Sequence, residues 1–161
     1  MNAAASGSGT FGRDWIYQYK RMLRSFNNLP GVRPKTNVFD AGEIEDSFMH
    51  FYQDAYHLKD WLKNDGTSAP VVSDIENHIT NDQNLSLAAD LANGTKHGKL
   101  SSTRTGDIST NMLELSFSGP VDGLEAKITV KSAANNIDGV KLAKDIVASW
   151  DSYLQAKGLQ V

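Results

Sequence analysis

Three residues in one stretch of the chain have the types and spacing for acid–base chemistry. Asp90, Asn93 and His97 are three and four positions apart. On a helix turning about 100° per residue they fall within roughly 60° of one another, with Lys96 just beside them. A histidine next to a carboxylate and an amide can be oriented by hydrogen bonds and titrates near neutral pH, so it can act as general acid or base. The same trio also suits a polar helix surface or a structural hydrogen-bond network, and short patterns of this kind often arise by chance.

A second constellation is His50, Asp54, His57 and Trp61, spaced four, three and four. These residues share one helix face, roughly opposite the apolar stripe of their own helix. A Trp beside two His and a carboxylate suits a partner surface, a contact with another helix or subunit, or inert surface. Two His and one Asp on a single helix do not close a tetrahedral zinc site without ligands from elsewhere, and no metal is assigned. The chain has no cysteine, which removes thiolate sites, disulfides and a Cys nucleophile. Basic residues gather twice, as Lys20, Arg21 and Arg24 and as Lys96, Lys99 and Arg104. Lys96, Lys99 and Arg104, with Trp61, His57 and His50, are the candidates for contact with RNA or a protein partner; plain solvated charge is the competing reading. The net charge of −3 argues against a broad basic surface for duplex nucleic acid. Gly7 and Gly9 lie in an Ala/Ser/Gly tail rather than in a strand-to-helix turn. No Gly-x-Ser-x-Gly elbow occurs either, so no cofactor is expected.

The elements that must hold these residues follow from the apolar periodicity. Trp15, Ile16, Tyr19, Met22, Leu23 and Phe26 predict a helix over 11–28, ended by Asn27, Asn28 and Pro30. A longer helix is predicted from Ala41 to Asn64, with Asp40 as N-cap and Glu43 three residues on. A short third helix follows Pro70, and a fourth covers about 85–97 with Gly98 as C-cap. The period then changes to two. Leu113, Leu115 and Phe117 alternate with polar residues, as do Ala126, Ile128 and Val130, and Gly119–Gly123 joins the two runs as a hairpin loop. Residues 101–106 are the candidate for a third strand. A last helix is predicted over 138–157. The fold class is therefore mainly α (α+β): about five helices, with an antiparallel hairpin at about 112–131 before the last helix. At 161 residues, with 40 % hydrophobic and 22 % charged residues, the chain suits a single domain over 11–161 behind a tail at 1–10. Without a basic n-region or apolar h-region, the expected location is cytoplasmic; no apolar run approaches the roughly 20 residues that span a bilayer, so no membrane partner is expected. Trp15, Phe48, Phe51, Tyr52, Leu58, Leu91, Ile146 and Trp150 are expected in the core.

Two segments carry a resemblance. Asp54 to Asp65 (DAYHLKDWLKND) and Ala89 to His97 (ADLANGTKH) resemble a group of small, largely uncharacterised bacterial and phage proteins, as does Asp138 to Trp150. The fourth helix also resembles the motif helix of HEPN-type domains. Those are helical bundles, often dimeric, many of them metal-independent ribonucleases of toxin, defence and RNA-processing systems. Their motif is an Arg followed by a polar residue, with a His about four to six positions after the Arg. Asn93 and His97 match the polar residue and the His, whereas Ala92 stands at the Arg position. In such enzymes the Arg would meet the charge of the phosphoryl transition state, and losing that donor costs several kcal/mol. The resemblance thus implies a HEPN-like, non-catalytic, dimerising module of a bacterial or phage defence system, binding protein or RNA. One alternative is a metal-independent endoribonuclease with His97 as acid or base, Asn93 and Asp90 orienting it and Lys96 on phosphate. The other is a small-molecule or metal-binding bundle using the His50, Asp54 and His57 face.

Overall fold

The computed structural model describes residues 14–33, 40–97, 102–106, 112–118, 125–131 and 135–161, without the side chains of 95–97, 112, 113, 115, 117, 118, 125 and 126. Its elements are α1 (Trp15–Asn27), α2 (Ala41–Asn64), a 3-10 turn (Ala69–Val71), α3 (Ile75–Asn81), α4 (Gln83–His97), β1 (Met112–Ser118), β2 (Glu125–Lys131), β3 (Asn136–Asp138) and α5 (Gly139–Ala156). The chain is mainly helical, with an antiparallel hairpin before the last helix. α1, α2 and α5 begin where side chains relieve their free amides. Asp14 accepts from the Tyr17 amide, and Asp40 from those of Gly42 and Glu43. Asp138 does the same for the Lys141 amide.

All eight residues expected in the core are buried. The core lies where α2, α4 and α5 meet, and α4 is its most enclosed element: every residue from Leu85 to Ala92 is buried. A helix covered on all sides belongs at the centre of a fold. Its polar groups are accordingly paired. Asp82 separates α3 from α4 and takes the amides of Asn84 and Leu85, both at 2.9 Å. The Ser86 hydroxyl donates to the carbonyls of Ile79 at 2.7 Å and Thr80 at 3.0 Å, which ties the two helices together.

The sheet has the order β1-β2-β3 and is antiparallel throughout. Its register sets Leu113 opposite Val130, Leu115 opposite Ile128 and Phe117 opposite Ala126. Ile128 and Val130 are buried, so β2 turns these two side chains to the core. The sequence suggested a third strand at 101–106; among the described residues of that segment, 102–106, there is none. Residues 102–106 form a bend, and β3 is the three residues leading into α5. Gly139, where α5 begins, lies so close to β2 that a Cβ there would sit 2.7 Å from Ile128 Cγ2; a glycine is what lets helix and sheet approach. Among the described residues no helix is long and apolar enough to cross a membrane.

Candidate functional site

The α4 constellation is divided by its surroundings. Asp90 is 1 % exposed. Its Oδ1 accepts the Arg104 amide at 2.7 Å, and its Oδ2 accepts the Thr105 amide at 2.9 Å and the Thr105 hydroxyl at 2.7 Å. Both carboxylate oxygens are thus engaged by the bend at 102–106, which lies against the helix where the sequence suggested an outward polar face. Asn93 is half-buried one turn further on. The side chains of Lys96 and His97, and all of Lys99, fall outside the described residues, although the backbone of His97 closes α4.

Arg104, held in place by Asp90, reaches a charged cluster between α2 and α3. Its guanidinium meets Glu76 Oε2 at 2.6 Å, donates to Thr80 Oγ1 at 2.8 Å and lies 5.8 Å from the centre of the Tyr56 ring. Glu76 Oε1 takes Lys59 and Lys63, both at 3.0 Å, and Lys59 also reaches Asp60 at 3.1 Å. Burial would raise the Glu76 pKa, but the hydrogen bonds from Lys59, Arg104 and Lys63 outweigh it and hold the carboxyl at about 2. Lys59 shows the mirror image: burial would pull its ammonium down, yet Glu76 and Asp60 raise it. The cluster fastens the bend to α2 and α3, so Arg104 has a structural task here.

The second constellation lands elsewhere, on a face that α2 shares with α1. Asp54 is buried and forms the centre of their contact. Its backbone carbonyl accepts Gln18 Nε2 at 2.9 Å, its Oδ2 accepts the Ser25 hydroxyl at 2.6 Å, and its Oδ1 meets Arg21 Nε at 3.0 Å. A buried carboxylate needs such partners, since leaving it unpaired costs several kcal/mol. Two turns on, Trp61 lies against Tyr17, ring centres 6.0 Å apart, and the Arg24 guanidinium sits 5.6 Å from the Tyr17 ring centre. His50 and His57 are exposed on the same side of α2 as Asp54 and Trp61, and Lys20 is exposed on α1. The fold therefore brings the basic group Lys20, Arg21 and Arg24 and the face His50, His57 and Trp61 onto one surface.

Where α1 begins and α2 ends, this surface opens into a pocket of about 250 Å³ lined by Asp14, Trp15, Asp60, Trp61, Asn64 and Asp65. The Asp65 carboxyl is held below the usual range by the Thr67 hydroxyl, with the Thr67 and Trp15 amides adding to it against some burial. It therefore stays ionised. Tyr17 and the pocket's carboxylates escaped the sequence-based site list; the pairing of Tyr17 with Trp61 spans 44 positions, and no local pattern announces it. Among the described residues no group of three or more His, Asp or Glu side chains is placed to hold a metal ion. Comparison with protein-family models, with curated proteins and with solved structures finds no match to this chain.

Proposed function

We propose that the chain is a HEPN-like, cytoplasmic, non-catalytic binding module of a bacterial or phage defence system, and that it engages a protein partner through the α1–α2 face. One observation carries the binding part of this reading. The exposed Arg21, Arg24, His57 and His50 and the half-buried Tyr17 and Trp61, side chains able to make specific contacts, converge on that face. Arg and aromatic side chains are the types that dominate protein contacts. The engagement of both Asp90 oxygens by the bend at 102–106 weighs against a catalytic role, because a carboxylate used this way is not available to orient His97. So does Ala92, which is buried where the family's chemistry wants an Arg. The defence-system setting rests on the resemblance of the α4 segment.

RNA is the second reading, favoured by the cations Lys20, Arg21 and Arg24 beside the Tyr17–Trp61 pair, a combination that suits single strands. The test has two arms. In the first, labelled mixed-sequence RNA is incubated with the wild type and with His97→Ala, with and without EDTA. No cleavage is expected, and EDTA-resistant cleavage lost in His97→Ala overturns the non-catalytic reading. In the second, affinity capture is compared between the wild type and Trp61→Ala, both checked for folding. Partners recovered with the wild type and lost with Trp61→Ala are expected. An unchanged set overturns the assignment of the face, and tight RNA binding that depends on Arg24 replaces the protein reading with the RNA one.

A further inference from the structure

Tyr17, Lys20, Arg21 and Arg24 are spaced three, one and three, so at about 100° per residue they form one stripe of α1, roughly two turns long. Two of its three cations are held in place. Asp54 grips Arg21 through Nε at 3.0 Å while 55 % of that side chain stays in solvent, and the Arg24 guanidinium lies 5.6 Å from the Tyr17 ring centre. Lys20 and Arg24 are exposed and have no acidic partner among the described residues. The half-buried Trp61 of α2 lies beside Tyr17, ring centres 6.0 Å apart, and the two rings make an aromatic shelf at one end of the stripe. The cationic stretch is short, about 6 Å from Lys20 to Arg24. Carboxylates bound it at both ends. Exposed Asp14 stands at the start of α1, and exposed Asp46 and Glu43 follow one and two turns beyond His50 on its stripe of α2.

We propose that this stripe docks an acidic helix of another protein. Two carboxylates one turn apart on that helix meet Lys20 and Arg24, and an apolar side chain one turn further on rests on Tyr17 and Trp61. This rests on the reading of the α1–α2 face as a binding surface and names its partner's chemistry. The length of the cationic stretch decides the class of partner. A nucleic-acid strand gains affinity by neutralising many phosphates in a row, and a strand following α1 would run from three cations onto carboxylates in either direction. An acidic pair at positions i and i+4 of a helix spans about 6 Å, the same length as the stretch. The guanidinium fork matches a carboxylate, and Arg21 and Arg24, already held by Asp54 and Tyr17, lose less freedom on binding than free side chains would. The aromatic shelf then supplies apolar contact beside the charges, as at the centres of protein interfaces.

The test captures partners from a lysate of the source cells with the wild type, with the double variant Lys20→Glu/Arg24→Glu and with Trp61→Ala. Lys20 and Arg24 are exposed, and far-UV spectra and melting verify folding of all three. A zero-length carbodiimide, which joins an amine only to a carboxylate in contact with it, is applied to the wild-type complex. Lys20 is expected to couple to an Asp or Glu of the partner that has a second acidic residue three or four positions away. The complex is expected to weaken about tenfold or more as salt rises from about 0.05 to about 0.5 M, and to be lost in the double variant. Changing the partner's two acids to Lys is expected to restore binding to Lys20→Glu/Arg24→Glu, a rescue that a merely damaged fold does not give. A partner that the double variant still holds, a partner to which Lys20 does not couple, or RNA captured in place of a protein each overturn the proposal. The failure is separable from that of the binding face itself. A partner lost with Trp61→Ala but kept by the double variant refutes the acidic helix and leaves the face as a protein surface, whereas a wild type that captures nothing removes both readings.

Discussion

Replacing Asp90 by alanine separates a structural carboxylate from a catalytic one. The side chain is 1 % exposed and accepts three hydrogen bonds, from the Arg104 amide, the Thr105 amide and the Thr105 hydroxyl. Hydrogen bonds to a charged acceptor contribute about 1.5–3 kcal/mol each, but the donors belong to a bend at the surface and regain water once released, so the sum is not lost in full. A loss of about 2–4 kcal/mol in unfolding free energy is expected, or roughly 5–15 °C in melting temperature for a domain of this size. Asp90→Asn keeps the shape but turns an amide NH2 towards one of the donors, and is expected to lose about 1–3 kcal/mol. Urea unfolding gives the free energies, and amide exchange locates them: the Arg104 and Thr105 amides should lose protection first in both variants. A stability within about 0.5 kcal/mol of wild type for Asp90→Ala would refute the structural assignment. It would return Asp90 to the His97 neighbourhood as an orienting group.

Two further outcomes follow from the charged and buried groups. Glu76 is held at about 2 instead of 4.5, so its contribution is fully present above pH 4.5 and is lost as pH falls through 2. The shift corresponds to about 3 kcal/mol at most, and because the side chain is 40 % exposed, screening reduces this to about 1–2 kcal/mol. Glu76→Gln should show that deficit at pH 7 and converge with the wild type between pH 4.5 and 2; a deficit independent of pH would contradict the ion-pair account. Tyr52 is fully buried, its hydroxyl has no hydrogen-bond partner among the described residues, and burial together with the Asp138 charge pushes its pKa up. Tyr52→Phe removes only that hydroxyl, so melting should show a stability equal to wild type or up to about 1 kcal/mol higher, and a loss of more than about 1 kcal/mol would mean that the hydroxyl is satisfied after all.

The local signals in this chain were strong enough to name most of its elements. The 3.6-residue stripe of α2, with Asp40 before it and Asn64–Gly66 after it, located that helix to its ends. The alternation at Leu113–Phe117 and Ala126–Val130 located the hairpin. Periodicity reports one face of one element, and that is enough for class, order and core. β3 was not legible, since three residues are too few to show a period and Asp138 reads equally well as the cap of α5.

The candidate sites were legible as residues but not as places. Asp90 and Asp54 each lie on a polar helix face in sequence, yet both are buried, because the bend at 102–106 covers one and α1 the other. Local spacing carries no information about a cover supplied by residues 14 to 36 positions away. Lys20, Arg21 and Arg24 likewise became part of one surface with His50, His57 and Trp61 only when α1 folded antiparallel onto α2. Sequence by itself determined which side chains are charged, apolar or able to cap. The tertiary structure decided which carboxylates are spent within the fold and which remain facing outward, because burial and pairing depend on contacts between elements and not on the pattern within any one of them.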